Sequence, residues 1–251
     1  MTSLVRLERA DGVLLIEMDR PRQRNALSRE LADELSAAFD ELDDDPTLRV
    51  GILSGAGPVF CAGTDLHEPV SPATPRGGEY GLVRRRRTTP VIAAVEGPAL
   101  GGGFELVLSC DLVVASTASS FGLPEVARGL VAACGGLFRP QRQLPDVVVA
   151  ELVLTGDPMS AARAASYGLL NAVCEPGQAV AEARALAARI AKNSPSAVSA
   201  SLRALADARG PAEALGWTLT DSAIATFSLS PDRAEGIAAF FEKREPRWSQ
   251  R

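Results

Sequence analysis

Histidine, cysteine and aromatic residues are scarce in this chain of 251 residues. It has one histidine, His67, and only two tryptophans and two tyrosines. The four cysteines, Cys61, Cys110, Cys134 and Cys174, never stand in Cys-x-x-Cys spacing, so the sequence indicates neither a zinc site nor a redox pair. The sequence shows no Ser–His–acid or Cys–His–acid arrangement around this one histidine, which disfavours nucleophilic catalysis of that kind.

Long apolar runs and an excess of basic charge are also missing. No stretch approaches the ~18 apolar residues that span a bilayer, and residues 1–9 mix charges without an apolar signal-peptide core. We therefore expect a cytoplasmic protein with reduced thiols and no membrane partner. Acidic residues outnumber basic ones by 31 to 26, and the net charge of −5 disfavours nucleic acid as a partner. The one basic run, four arginines at 84–87, is interpreted as the solvated face of a helix.

Hydrophobic periodicity predicts an α/β fold. Short strands are expected at residues 4–9, 13–18, 50–54, 91–95 and 112–115. An amphipathic helix is expected at 29–43, with Ser28 as its N-cap. The later strands are entered or left through glycine-rich turns and helices, an alternation typical of repeated strand–helix units. The Gly-x-Gly-x-x-Gly fingerprint of dinucleotide-binding proteins and the Lys-Ser/Thr of a phosphate loop are both absent.

The composition changes near residue 179. An Ala-rich helical stretch at 179–192 is followed by further helical segments, separated by Ser-Pro, Gly-Pro and Ser-Pro dipeptides at 194, 210 and 230. A helical tail with apolar faces either packs on the core or meets a neighbouring subunit, and periodicity does not decide between the two. We expect a core domain at residues 1–190 and a helical region at 191–251.

Two glycine-containing turns follow predicted strands. They read Phe-Cys-Ala-Gly-Thr-Asp-Leu at 60–66 and Gly-Pro-Ala-Leu-Gly-Gly-Gly-Phe-Glu at 97–105. Glycine permits tight turns and close approach of another group, and the N–H groups at the start of a following helix carry partial positive charge. Two such donors that converge on one point would stabilise an oxyanion formed from a carbonyl. Each turn alone is more often a packing device between helix and sheet.

Two glutamates stand just past turns of this kind. Glu105 falls in the first turn of the helix that the glycines open, and Glu125 follows Pro124 at another helix start. Either one alone is typical of an acid that complements the helix dipole. Together with the two glycine turns, the pair favours a cleft that contains two carboxyl groups.

These segments resemble the crotonase (enoyl-CoA hydratase/isomerase) superfamily in order and over nearly the whole chain. The matching segments are the two oxyanion-hole motifs at 60–66 and 97–105, the coenzyme-A loop Asn-Ala-Leu at 25–27, the second catalytic segment Phe-Gly-Leu-Pro-Glu at 121–125 and the ending Phe-Phe-Glu-Lys-Arg at 240–244. The resemblance implies a spiral of strand–strand–helix repeats, a helical trimerisation region, and a homotrimer or dimer of trimers. It further implies an acyl-CoA thioester as substrate, no metal, and no cofactor beyond the coenzyme A of the substrate.

The resemblance also implies roles for individual residues. The backbone N–H groups of Thr64 and Gly102 would form the oxyanion hole, and Glu105 and Glu125 would be the catalytic acids. Thr64 stands where the family often has Ala, a change that leaves a main-chain donor in place. Contacts with substrate and coenzyme A are expected from Ala26, Ala62, Thr64, Asp65, Leu66, His67, Gly101, Gly102, Phe241 and Lys243. His67 is expected to line the groove without acid–base work.

The presence of both glutamates favours hydration of a 2-enoyl-CoA. Addition of water across a 2,3-double bond needs water at C3 and a proton at C2, so one carboxyl group can accept a proton while the other donates one. Like charges close together resist joint ionisation, which keeps one acid protonated near neutrality. We assign Glu105 as the base that orients water and Glu125 as the donor to C2. The reverse division, or concerted sharing, stays open.

Two other interpretations stay open. One is a sister reaction, namely double-bond isomerisation, decarboxylation or carbon–carbon cleavage, in which the same oxyanion hole would hold an enolate. The other is a catalytically weak member that binds coenzyme A or RNA, although the acidic charge balance argues against RNA. The size of the acyl pocket also cannot be predicted from the sequence. Pro140 stands where the family commonly continues a helix, and the Pro- and Gly-rich segment 68–78 is expected to be a mobile loop that carries binding function.

Overall fold

The computed structural model describes residues 3–68 and 70–249. Five positions lie outside the described residues. They fall in the predicted N-terminal segment, in the 68–78 loop and at the outer ends of the two expected domains, and they are Met1, Thr2, Pro69, Gln250 and Arg251.

Strands and helices alternate along the described residues. The strands are Val5–Ala10 (β1), Val13–Met18 (β2), Val50–Gly55 (β3), Ala73–Thr74 (β4), Gly78–Glu79 (β5), Val91–Val95 (β6), Pro98–Leu100 (β7), Leu112–Ser116 (β8), Ser120–Gly122 (β9), Met159–Ser160 (β10) and Ala172–Cys174 (β11). The α-helices are Arg29–Asp44 (α1), Gly102–Val107 (α2), Asp146–Thr155 (α3), Ala161–Ser166 (α4), Ala179–Ala191 (α5), Pro195–Phe227 (α6) and Asp232–Glu242 (α7). Short 3-10 helices begin at prolines, which suit a first helical position because they lack an N–H, and span Pro21–Gln23, Pro124–Arg128 and Pro140–Arg142.

The largest sheet has six strands in the order β1-β2-β3-β6-β8-β11. Strand β1 pairs antiparallel with β2, and the other neighbours pair in parallel. Asp11 and Gly12 both have positive φ, 52° and 75°, as a two-residue hairpin turn requires. The predicted strands are confirmed. Helix α1 begins after Ser28, whose Oγ accepts a hydrogen bond from the N–H of Leu31, as predicted.

Side chains of the sheet alternate between two apolar layers. In β2, Leu14 and Ile16 join the larger cluster, which also contains the buried face of α1. Val13 and Leu15 point to the other layer, where the small side chains of α5 cover the sheet. The predicted Ala-rich helix is confirmed, and its alanines allow close packing on the strands. The alanines that are fully buried there are Ala179, Ala183 and Ala187.

Successive repeats contribute one strand to each of two sheets. Strand β6 lies in the large sheet and is followed by β7 in a three-stranded sheet and by α2. Strand β8 is followed in the same way by β9 and the 3-10 helix Pro124–Arg128. Ala99 of β7 pairs with Phe121 of β9 on one side and forms a bridge to Cys61 on the other. The expected α/β spiral is confirmed, and its register brings the three turns after Cys61, Ala99 and Phe121 side by side.

The C-terminal tail differs from the prediction at Gly210 and Pro211. Helix α6 runs through both residues without a break, although a proline inside a helix removes one hydrogen bond and costs ~3 kcal/mol. The helix is fastened to the core beyond that point, because Glu213 pairs with Arg139 at 2.5 Å and the Trp217 ring contacts Phe138 at a centroid distance of 5.0 Å. In spite of the 33 residues of α6, no helix in the described part of the chain is long and apolar enough to cross a membrane.

The arginine run at 84–87 is not the solvated helix face that the sequence suggests. These residues lie in a turn and an irregular segment. The Arg85 side chain is fully buried and pairs with Asp40 at 2.7 Å and with Asp43 at 3.1 Å, while Arg87 pairs with Asp111 at 2.6 Å. Buried charges need such partners, and these carboxyl groups come from parts of the chain too distant for local patterning to reveal.

Two further segments differ in local structure from their expectations. Within the predicted 68–78 loop, β4 begins an antiparallel pairing with β5, so part of this segment is a small hairpin. After Arg139, the chain forms the 3-10 helix Pro140–Arg142 and then α3. Pro140 therefore begins a new helical turn at this point.

Candidate active site

The two glycine turns lie in direct contact. Gly63 has a φ of 99°, which favours glycine, and a Cβ placed on it would lie 2.9 Å from the carbonyl oxygen of Leu100 and 3.3 Å from the nitrogen of Gly102. A side chain at position 63 would therefore separate the turns. Glycine at this position allows the backbones of Thr64 and Gly102 to approach each other.

The N–H groups of Thr64 and Gly102 both point away from their own elements. Leu27 donates to Gly63 at 2.9 Å and accepts from Asp65 at 3.1 Å, so the Thr64 N–H between them faces the opposite side. Gly102 is the first residue of α2, where N–H groups have no partner in the helix. Neither group donates a hydrogen bond within residues 3–68 and 70–249. The site thus offers two adjacent main-chain donors.

Both residues line a cavity of about 670 Å³. Of the residues expected at the site, those on its wall are Ala26, Ala62, Thr64, Asp65, Leu66, His67, Gly101, Gly102, Glu125 and Phe241. Glu105 lies behind the wall and is only 1% exposed. Lys243 is solvent-exposed, follows the last residue of α7 with a φ of 53°, and is not among the residues that line the wall. The structure therefore brings together most of the segments singled out in the sequence, and leaves Lys243 outside.

Main-chain donors hold the carboxyl group of Glu105. Its Oε1 accepts hydrogen bonds from the N–H groups of Cys134 at 2.7 Å and Gly136 at 2.9 Å. Burial raises the pKa of this carboxyl group, and the two N–H donors, which favour the ionised form, only partly oppose that effect. Glu105 is thus a fixed carboxyl group that retains its proton at higher pH than an exposed glutamate.

Glu125 is held differently. It lies in the 3-10 helix Pro124–Arg128, with Oε1 3.0 Å from where a Cβ of Gly101 would be. Its Oε2 is buried and finds no hydrogen-bond partner among the described residues. Burial raises the pKa of Glu125, and the negative charge of Glu105 raises it further. The ionisation of each acid therefore affects the other, and Glu125 lines the cavity with one buried carboxyl oxygen that has no partner among the described residues.

A polar and aromatic rim surrounds the mouth of the cavity. Asp65 accepts from Arg20 at 2.7 Å and from the ring of His67 at 2.8 Å. Although burial opposes it, these hydrogen bonds lower the pKa of Asp65 to about 2. The His67 ring packs on Phe241 of α7, with ring centroids 4.8 Å apart.

Helix α7 packs closely on the segment that carries Glu125. Gly236 of α7 faces the carbonyl of Arg128, and Gly129 faces the carbonyl of Asp232. A Cβ on either glycine would overlap with the opposing backbone. The two segments therefore lie backbone against backbone.

Sequence reasoning missed three groups of residues at this site. One is the set of arginines on the wall, Arg20, Arg22, Arg24 and Arg128. The clustering of three of them within the short 19–25 loop was a signal that could have revealed them. The others are Tyr80 and the 134–136 turn, which contact the site only through the folded chain and leave no local pattern. Among the described residues, no group of three His, Cys, Asp or Glu side chains is placed to hold a metal ion.

Comparison with known proteins connects this site with hydratases of coenzyme-A thioesters. The sequence model of the Enoyl-CoA hydratase/isomerase family matches residues 8–251 of this chain. The chain is 39% identical over 245 residues to a mevalonyl-coenzyme A hydratase of Aspergillus fumigatus, covering 94% of this chain and 91% of that protein. It is 40% identical over 258 residues to the enoyl-CoA hydratase EchA19 of Mycobacterium tuberculosis, covering 98% of this chain and 96% of that protein.

A solved structure matches over the full length. The crystal structure of a carnitinyl-CoA hydratase from Mycobacterium avium superposes with a TM-score of 0.93 at 43% sequence identity, covering 100% of both chains. The match includes the strand–strand–helix core and the helical tail.

Proposed function

This chain belongs to the enoyl-CoA hydratase/isomerase family, and we propose that it catalyses the reversible addition of water across the 2,3-double bond of an enoyl-CoA thioester. The observation that carries the proposal is the pair of carboxyl groups with raised pKa, Glu105 and Glu125, beside the N–H groups of Thr64 and Gly102, which have no partner among the described residues. Hydration requires both parts, because it moves two protons and places negative charge on the thioester oxygen in between.

The N–H groups of Thr64 and Gly102 are proposed to bind the thioester carbonyl oxygen. When water adds at C3, negative charge moves onto that oxygen, and donors that already point at it stabilise the charge without reorganising. Each such donor is typically worth ~3 kcal/mol of the barrier. The role belongs to the main chain, so Thr64 in place of the family's frequent Ala does not weaken it.

Glu105 and Glu125 are proposed to divide the proton transfers. Glu105, fixed by two N–H donors that favour its ionised form, would accept the proton of the attacking water. Glu125 would donate a proton to C2. Its carboxyl group holds its proton more firmly than that of Glu105, because the negative charge of Glu105 raises the pKa of Glu125. Its side chain lines the cavity, so its carboxyl group would lie beside the bound water or the substrate.

The coenzyme-A part of the substrate is proposed to occupy the mouth. Arg22, Arg24 and Arg128 place positive charge there, which suits the phosphates of coenzyme A. The pantetheine arm would pass Ala26, Ala62 and Leu66 and reach the two glycine turns. His67 and Phe241 would cover it at the rim, and Lys243 stays a proposed contact from solvent.

The helical tail is proposed to assemble the protein as a homotrimer or a dimer of trimers, with residues 1–190 as core domain and 191–251 as the oligomerisation region. Helix α6 packs on the core on one side and exposes large apolar side chains on another, with Leu215 59% and Leu219 61% exposed. Apolar surface at helical spacing favours burial against another subunit. Light scattering coupled to size-exclusion chromatography measures the mass, and a monomer would contradict the assembly. A cytoplasmic location stays a prediction.

Turnover of crotonyl-CoA tests the proposed reaction. Hydration removes the conjugated double bond, so the absorbance of the enoyl thioester should fall when the purified protein is added. Glu105→Gln and Glu125→Gln should each reduce kcat by about 100-fold or more, since a positioned acid or base contributes ~10²–10⁴. Binding of butyryl-CoA, which cannot be hydrated, should survive both substitutions.

Turnover measured across a panel of acyl-CoA thioesters identifies the acyl group that the protein prefers. The relatives named above act, by their names, on mevalonyl-, carnitinyl- and enoyl-CoA, so the panel includes polar and apolar acyl groups as well as short, medium and branched chains. If the protein turns over none of these thioesters, the hydratase proposal is contradicted. Full activity of either glutamine variant on the preferred substrate would contradict the two-acid mechanism and favour a double-bond isomerase, a decarboxylase or a carbon–carbon lyase.

A further inference from the structure

Tyr80 is a strained aromatic residue beside the site. Its φ is 55°, in the left-handed region that bulky side chains rarely adopt, and its side chain is only 1% exposed. A residue in this conformation persists only where its surroundings over-determine it, and such residues cluster at functional sites. The surroundings of Tyr80 are therefore informative.

The hydroxyl group of Tyr80 contacts the first glycine turn. It lies 2.6 Å from Oγ1 of Thr64, and it donates to Oγ of Ser71 at 3.1 Å. Burial, with Cys134 and Glu105 nearby, raises the pKa of Tyr80 well above its ordinary value, so the group stays a neutral O–H. A short hydrogen bond to Thr64 restricts the rotation of the residue whose N–H is proposed to bind the substrate.

The ring of Tyr80 contacts the second glycine turn. A Cβ placed on Gly102 would lie 2.8 Å from the Tyr80 hydroxyl oxygen and 3.0 Å from its Cε2. The edge of the phenol thus rests directly on the α-carbon of Gly102, where a side chain cannot fit. One aromatic side chain touches both residues of the proposed oxyanion hole.

The same hydroxyl group connects these turns to the support of Glu105. Cys134 donates from its thiol to the Tyr80 oxygen at 3.3 Å and from its backbone N–H to Glu105 at 2.7 Å. Both turns and the segment that holds the carboxyl group therefore meet at Tyr80.

We propose that Tyr80 is a positioning residue for the reaction, which sets the separation and aim of the Thr64 and Gly102 N–H groups through its hydrogen bond to Thr64 and its contact with Gly102. This inference rests on the proposed hydratase function. It assigns to Tyr80 no contact with the reacting atoms: Tyr80 acts through the two residues it touches. Its hydroxyl group should matter most where negative charge builds on the thioester oxygen, and little where a neutral thioester simply binds.

Tyr80→Phe tests this inference because it keeps the ring on Gly102 and removes only the hydroxyl group. We expect kcat with the preferred enoyl-CoA to fall about tenfold while KM changes less than about twofold, the pattern of an interaction realised in the transition state. Acetoacetyl-CoA, which can bind as its enolate with a distinct ultraviolet absorbance, should bind about tenfold more weakly, whereas butyryl-CoA should bind within about twofold of the original protein.

Two further variants separate positioning from general destabilisation. Thr64→Val removes the other hydroxyl group of the same hydrogen bond, so the double variant with Tyr80→Phe should lose no more activity than either single one. Tyr167→Phe makes the same chemical change at the other tyrosine of the chain, which does not line the cavity. It should leave kcat, KM and the affinities for acetoacetyl-CoA and butyryl-CoA unchanged. Thermal unfolding midpoints show that each variant is folded.

The outcomes distinguish this inference from the proposed function. If the original protein hydrates no enoyl-CoA, the hydratase proposal fails, and the ratio of acetoacetyl-CoA to butyryl-CoA affinity still decides the role of Tyr80. If Tyr80→Phe keeps that ratio, or if its effect and that of Thr64→Val multiply in the double variant, Tyr80 does not position the two N–H groups.

Discussion

The backbone N–H of Cys134 donates a 2.7 Å hydrogen bond to Oε1 of Glu105, a residue 29 positions earlier in the chain. The N–H of Gly136 donates to the same oxygen at 2.9 Å. A turn that contributes no acid or base thus places one of the two carboxyl groups of the site. Changes in that turn should alter the chemistry without any substitution of Glu105 itself.

Gly136→Ala is expected to displace the Glu105 carboxyl group. A Cβ at this position would lie 3.0 Å from Oε1 of Glu105 and 2.7 Å from the Cβ of Ala132, so something must shift. Misplacement of a reacting group by a fraction of an ångström to 1 Å costs up to ~10²-fold, and we expect kcat to fall by about 10- to 100-fold. Steady-state kinetics with crotonyl-CoA measure the effect.

Gly210→Ala is the matched control for that substitution. Gly210 lies within α6, and no described atom from elsewhere in the fold stands within 4 Å of where its Cβ would be. Alanine should therefore leave kcat unchanged, while the crowding of its Cβ by the following Pro211 offsets its higher helix propensity. An unchanged kcat for Gly136→Ala would show that the turn does not set the position of Glu105.

The pH dependence of catalysis should have both limbs above the ordinary carboxyl range. Burial raises the pKa of Glu105 and Glu125, and the charge of Glu105 raises that of Glu125 further. The active form holds one proton between them, so kcat/KM should rise as the first proton leaves and fall as the second leaves. Glu125→Gln should abolish the upper limb in whatever activity remains. A profile that stays flat from pH 5 to about 9 would contradict this coupling.

The same acids should lower stability at alkaline pH. A carboxyl group with a higher pKa in the folded state stabilises the fold fully below its unfolded pKa near 4, and this contribution is lost as pH rises through the folded pKa. Glu125→Gln removes that loss. It should therefore stabilise the protein more at pH 8 than at pH 5, by about 1–3 kcal/mol, or roughly 2–10 °C in Tm.

A glutamate on the surface supplies the comparison for this measurement. Glu30 is exposed on α1, and Glu30→Gln should change Tm by similar amounts at both pH values. Thermal unfolding followed by circular dichroism at pH 5 and pH 8 gives the change in Tm for each of the two variants, relative to the original protein, at both pH values. An equal gain for Glu125→Gln at the two pH values would mean that its carboxyl group is not held protonated by the fold.

Arg22 and Arg24 should act on binding alone. Both are exposed on the cavity wall, so their charges would reach the phosphates of coenzyme A and not the acyl group. Arg22→Gln with Arg24→Gln should raise KM for crotonyl-CoA by about tenfold at low salt, with less effect at high salt because the charges are screened. With crotonyl-pantetheine, which has no phosphate, the variant and the original protein should have equal KM values. A change in kcat would instead place these arginines in the chemistry.

Segments whose chemistry is local could be predicted from the sequence. Gly102 and Glu125 follow short strands within three residues, and Thr64 lies in the glycine turn nine residues after β3, so strand pattern and turn chemistry place all three. Their meeting depends on the strand register, in which Cys61, Ala99 and Phe121 are neighbours. The α/β class and the family resemblance predicted that meeting, whereas hydrophobic periodicity alone did not.

Contacts between distant segments could not be predicted. The hydrogen bond between Cys134 and Tyr80 spans 54 residues, and the pairing of Arg85 with Asp40 spans 45. No local signal marks either partner. The prediction of a helix break at Pro211 was wrong for a related reason. The residues that hold α6 against the core, such as Glu213, lie after the proline, and their partner Arg139 belongs to another part of the chain.

The close backbone contact of Gly236 with Arg128 has a consequence for how a substrate enters. Helix α7 supplies Phe241 to the rim, and the segment it rests on carries Glu125. With no side chain between the two backbones to absorb a shift, outward motion of the helix would pull on the proposed proton donor. The entrance and the acid would then behave as one moving part, and an enzyme opened to admit a thioester would be momentarily unable to react with it.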